Sequence, residues 1–180
     1  NSVTVNATAA TNCTHTVNFA NSVNTIHDMH ISTWNYSCPR PGFAYKQKMV
    51  IKNTGTVQES AVVAGYKSDG QISAPTFAPS GVFAGSGTYH SISGTSLSLA
   101  PGIAQTFFVN YSVPANVPLN TSLVFKDTTA YATPMANWLN DYSPWNNVNY
   151  YTPVVVGAYD PNFKEVHPKG NGPEGFITRN

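Results

Sequence analysis

The sequence predicts an all-β protein, an immunoglobulin-like antiparallel β-sandwich of about seven or eight strands. Three observations lead there. Apolar and polar residues alternate with a period of two in one segment after another, turn-forming residues punctuate the chain roughly every 8 to 15 positions, and no segment sustains a helical period or a βαβ spacing.

The first alternations fall at 14–19 and 27–33. The clearest runs from Phe43 to Lys52, where Phe43, Tyr45, Gln47, Met49 and Ile51 share one face and Ala44, Lys46, Lys48, Val50 and Lys52 the other. Asn53-Thr54-Gly55 then turns the chain. A strand is expected through 57–67, ending at Ser68-Asp69-Gly70, whose Asp-Gly pair suits a tight hairpin. A shorter alternation follows at 91–99, and after the Pro101-Gly102 turn Phe107, Val109, Tyr111 and Val113 define another half-buried strand. Leu123, Phe125, Asp127, Thr129 and Tyr131 share a face in the next one, and Val148, Tyr150, Thr152, Val154 and Val156 in the last. Pro153 cannot donate to a ladder, which puts that last strand at an edge or a bulge. Met135 to Leu139 has room for one turn of helix.

Composition narrows the function classes. Only 9% of the 180 residues are charged and the net charge is +1, while Asn, Thr and Ser together make up 54 of them. Without a basic run there is no electrostatic footprint for nucleic acid or an anionic membrane. No apolar stretch is long enough for a membrane span. The first residues carry no initiator Met and no basic or apolar leader, so the chain reads as a processed product or a fragment of an exported protein. Two cysteines, Cys13 and Cys38, fit one disulfide in an oxidising compartment or two unpaired thiols; a bond would close a loop of about 25 residues, worth roughly 3 to 4 kcal/mol.

The ends differ from the middle. Residues 1–25 read as the tail of a preceding module or an added strand, 26–166 as the sandwich, and 167–180 as a Pro/Gly linker leading into a following module, because Pro168, Gly170, Gly172, Pro173 and Gly175 forbid a regular strand.

Three strings read together carry a resemblance: Pro39-Arg40-Pro41-Gly42-Phe43, then Lys52-Asn53-Thr54-Gly55-Thr56, then Val155 to Lys164 with Tyr159-Asp160-Pro161-Asn162 at its centre. Together they resemble the immunoglobulin-like module of large Bacteroidetes cell-surface proteins. The resemblance implies export by the type IX secretion system, an extracellular or cell-surface life in tandem with other modules, partnership with neighbouring domains of the same polypeptide, and no catalytic residues or cofactor. At the closing string Phe163 replaces a carboxylate of the family pattern, leaving Asp160 and Asn162 as weak candidates for a hard cation, which wants more than one carboxylate. Asp127-Thr128-Thr129 fits the short pattern at which Bacteroidetes glycosylate exported proteins, making Thr128 a candidate O-glycan acceptor.

Enzymatic constellations find no support in the residues. There is no Gly-x-Ser-x-Gly elbow, and His27 and His30, three apart on a strand, point to opposite faces. Nothing in the scatter of carboxylates selects a pair for glycoside hydrolysis. The segment 138–147 is the richest in binding chemistry. Trp138, Tyr142 and Trp145 lie among Asn and Asp side chains, and flat rings beside amides suit a sugar, whose C–H faces stack while its hydroxyls are hydrogen-bonded. A structural role, with Trp138 and Trp145 plugging the end of the sandwich, is the alternative. The expected function is thus a non-enzymatic structural or adhesive module whose further partners are glycans or other surface proteins, the second reading being a carbohydrate-binding module that uses this loop.

Overall fold

The computed structural model describes residues 24–92, 97–132 and 135–157. They form two antiparallel sheets packed face to face. One has the order β1 (Met29–Asn35), β2 (Ala44–Asn53), β7 (Ala104–Ser112), β4 (Thr76–Ala78). The other runs β5 (Ala84–Ser86), β6 (Tyr89–Ile92), β3 (Val63–Lys67), β8 (Phe125–Ala130), β9 (Val148–Tyr151). The expected immunoglobulin-like sandwich is the observed fold. The described residues hold nine strands rather than seven or eight, because β4 and β5 span three residues each, too few to show an alternation. The alternation at 14–19, Cys13 and hence its pairing with Cys38, the cation candidates Asp160 and Asn162, and the linker at 167–180 lie outside the described residues. Cys38 itself is exposed.

The period of two becomes burial directly. Along β2, Tyr45, Gln47, Met49, Ile51 and Asn53 face inward, and along β7 Phe107, Val109 and Tyr111 meet Met29, Ile31, Tyr66, Ile92 and Phe125 in one core. Phe43, expected on the inner face, is 56% exposed: it closes the turn before β2, its N–H bonding Arg40 O, although its carbonyl still accepts from Val113 N–H at 3.0 Å. In the last strand the inward residues are Tyr151, Pro153 and Val155, so the apolar set Val148, Tyr150 and Val154 marks the outer face. Leu123 and Val155 hold this segment together by Leu123 N–H to Pro153 O at 2.9 Å and Val155 N–H to Thr121 O at 2.8 Å. β9 is an edge strand, one of the two placements expected from Pro153, which follows it by two residues.

The two central strings of the sequence are turn devices. Phe43 N–H donates to Arg40 O at 3.2 Å, with Pro41 at the second position of the turn and Gly42 at φ +81° at the third, the backbone a type II turn demands. Asn53 is fully buried; its amide nitrogen donates to Val57 O and Leu99 O at 2.8 Å each, and its carbonyl oxygen receives Gly55 N–H at 2.9 Å. This stops β2 and ties it to the 57–59 crossing. Glycine is required at 55 by space: a Cβ there would stand 2.3 Å from Ile26 O. At Ser68-Asp69-Gly70 the expected hairpin does not form. β3 pairs with β6 and β8, and the chain crosses after it to the other sheet, where β4 pairs with β7. Asp69 instead caps backbone amides, accepting from Gln71 N–H at 2.8 Å and Val124 N–H at 2.9 Å.

The core contains a polar seam. Gln47 on β2 accepts from Tyr66 OH on β3 and donates to Tyr111 OH and Tyr151 OH, while Tyr45 OH and Tyr151 OH lie 2.7 Å apart. Burial pushes the Tyr45, Tyr66, Tyr111 and Tyr151 phenols up, so they remain neutral hydrogen-bonding groups. Asp127 lies beside the seam, fully buried, with its carboxyl pushed up to about 6 by desolvation; the Asn149 amide, 3.5 Å from Oδ2, favours the ionised form but does not overcome burial.

Candidate functional site

The segment 135–147 is a loop of two short 3-10 turns, Met135–Asn140 and Pro144–Asn146, lying between β8 and β9. The expected helical turn at 135–139 is there. What fixes the loop is its single buried carboxylate. Asp141 Oδ2 accepts from Met29 N–H at 2.8 Å and from the Asn147 amide at 3.0 Å, and Oδ1 accepts from Ser143 N–H at 3.1 Å. Burial pushes this carboxyl up from its ordinary range, and the same three donors pull it back. Further bonds join the loop to the start of β1: Tyr142 N–H to His27 O at 2.9 Å and the Asn146 amide to Asp28 Oδ1 at 3.2 Å. On the β8 side, Thr129 N–H donates to Asn147 O at 2.8 Å, and the Asn147 amide also reaches Thr129 O at 3.3 Å.

On this base the aromatic residues divide. Trp138 is half-buried, whereas Tyr142 is 69% and Trp145 77% exposed. Trp145 is therefore no plug: it projects into solvent from the 3-10 turn that Ser143-Pro144 initiates. Leu139 is exposed in the same loop, the Asp141 carboxylate beneath accepts three hydrogen bonds, and Asp28 accepts one from Asn146. Exposed rings of this kind are suited to stacking on a flat partner face. The structural roles of Asp141 and Asn147 escaped the sequence reading. The signal for Asp141 was local: an Asp two residues before Ser143 is the pattern of a side chain that caps the backbone two positions on.

The remaining residues singled out by sequence are dispersed. Thr128 lies half-buried on the outer face of the five-stranded sheet, beside Gly65 of the neighbouring strand: a Cβ at Gly65 would stand 2.8 Å from Thr128 Oγ1. His27 does not converge with His30. Its Nδ1 lies 2.6 Å from Glu59 Oε1, and its ring stacks on Tyr131 with centroids 4.4 Å apart. Among the described residues, no three His, Cys, Asp or Glu side chains lie where they could hold one metal ion, and no helix is long and apolar enough to cross a membrane.

The arrangement defines a β-sandwich module carrying an aromatic loop at one end. The sequence matches no family model and no curated protein. In shape it is similar to the CARDB domain of a Pyrococcus furiosus protein, solved in complex with di-metal ions, at 11% identity over 76% of this chain and 100% of that one, with a TM-score of 0.49. It is also similar to the major pilin subunit of Bacillus cereus, at 10% identity over 72% of this chain and 40% of that one, TM-score 0.48, and to a bacterial hydrophobin, at 8% identity over 76% and 100%, TM-score 0.47. At such identities the likeness concerns shape alone.

Proposed function

We propose that the chain is a non-enzymatic structural or adhesive module of a large exported bacterial surface protein, of the kind Bacteroidetes send through the type IX secretion system. It spaces neighbouring domains of the same polypeptide and makes outward contacts through the 138–147 loop. The observation that carries the adhesive reading is the exposure of Tyr142 and Trp145 on a loop pinned by Asp141 from beneath: large rings held out by a hydrogen-bonded base lose little freedom when a partner covers them. The turn geometry at Arg40 to Phe43 and at Asn53 to Gly55 supports the module assignment, since both strings serve the start and stop of one strand.

The test of context is the surface display of the parent protein in a host with and without a working type IX system; equal display in both rejects the export route. A second reading, glycan binding by Trp138, Tyr142 and Trp145, is favoured by the same exposure. On a glycan array the full chain binds a neutral saccharide and Trp145→Ala does not; binding that survives the substitution removes the loop as the site.

A further inference from the structure

The outer face of the five-stranded sheet carries a second feature, away from the aromatic loop. Lys67 on β3 stands directly opposite Lys126 on β8, and Lys126 directly opposite Tyr150 on β9. On the far side Lys67 faces Tyr89 of β6, so four adjacent strands present the row Tyr89, Lys67, Lys126, Tyr150 on one face. Like charges placed directly opposite across a ladder are unfavourable, yet neither lysine has a carboxylate at ion-pair distance among the described residues. Asp69, on the same groove, keeps its charge but is turned to the backbone, each oxygen accepting one amide N–H. Lys67, Ser68, Asp69, Gly70, Val124, Lys126 and Tyr150 enclose an open groove of about 320 Å³. Tyr150 is 67% exposed, and the Lys126 ammonium lies 5.3 Å from its ring centroid.

We propose that this groove binds an acidic saccharide, one bearing a carboxylate or a sulfate. The anion sits between the two ammonium groups and relieves their repulsion, while the sugar ring stacks on Tyr150. Polynucleotides fit poorly. Their affinity comes from many phosphate contacts, and here two cations stand in a chain of net charge +1 without a basic run. The site is separate from the 138–147 loop and does not depend on what that loop binds.

The experiment titrates the full 180-residue chain by calorimetry at low ionic strength with trigalacturonate, with a heparin-derived tetrasaccharide, with a neutral cello-oligosaccharide and with a single-stranded DNA oligomer. At least one of the two acidic probes is expected to bind, and the two arms tell carboxylate from sulfate recognition. The Lys67→Gln/Lys126→Gln double variant weakens that binding by about tenfold or more, as loss of charge-assisted hydrogen bonds does, with no fall in thermal stability because the like-charge pair is gone. Tyr150→Ala weakens it too, and Trp145→Ala leaves it unchanged. Failure of both acidic probes, binding of the neutral sugar or of DNA by the Trp145→Ala chain as strong as that of the acidic probes, or full binding by the double variant overturns the proposal.

Discussion

The Tyr66 hydroxyl donates a 2.7 Å hydrogen bond to Gln47 Oε1 across the interior, joining β3 of one sheet to β2 of the other. The Gln47 amide in turn donates to Tyr111 OH at 3.2 Å and Tyr151 OH at 3.3 Å, so one buried side chain fixes how the two sheets sit on each other. Gln47→Leu keeps the volume and leaves Tyr66 OH without its acceptor. A loss of about 2 to 3 kcal/mol in urea denaturation is expected, and an unchanged midpoint would show that the seam contributes nothing.

Asp127 makes stability depend on pH. Its folded-state pKa of about 6 lies above the ordinary 3.8 of an exposed carboxyl, so the folded chain holds the proton more tightly than the unfolded one. The stabilisation from the neutral acid is fully present below pH 3.8 and is lost as pH rises through about 6, by about 3 kcal/mol in total. Denaturation curves for the wild type and Asp127→Asn should diverge across that window, with the variant more stable at neutral pH. Parallel curves would place the titration elsewhere.

Gly55→Ala is expected to cost about 2 kcal/mol or more, since the new methyl would stand 2.3 Å from Ile26 O and 2.9 Å from Asp28 N, both backbone atoms that cannot step aside cheaply. Thermal unfolding measures it.

Asp141→Ala removes the acceptor of three donors, two of them backbone amides. Met29 N–H and Ser143 N–H should exchange with deuterium markedly faster in the variant, and global stability should fall by about 2 to 3 kcal/mol. Unaltered exchange at both amides would mean that the loop is held by other contacts.

Trp145→Ala should leave stability within about 0.5 kcal/mol of the wild type, because the ring is 77% exposed. A larger loss would return this residue to the role of a structural plug.

The alternation along β2, β7 and β8 was legible because a strand with one face in a core must repeat every second residue, and the inner residues Tyr45, Met49, Phe107, Val109 and Phe125 obey it. The Arg40 to Phe43 and Asn53 to Gly55 strings were legible because turns are local. The Asp69-Gly70 pair misled for the same reason: it announces a turn but says nothing about which sheet receives the chain afterwards. The Val148 to Val156 segment misled differently. An apolar set on an edge strand can cover the outer face, and only the packing of Tyr151 and Val155 against the core shows which face is inward.

By itself, then, the sequence determined the β class, the positions of the principal strands and turns, and the aromatic richness of 138–147, all consequences of interactions within a few residues. The tertiary structure alone decided that Gln47 and Tyr66 meet in one seam with Asp127 beside it, that Asp141 reaches Met29 across 112 positions, and that Lys67 and Lys126 stand side by side. The physical reason is that burial and cross-strand register bring together residues remote in the chain, and the free energy of a buried or paired polar group is set by those neighbours rather than by its own identity.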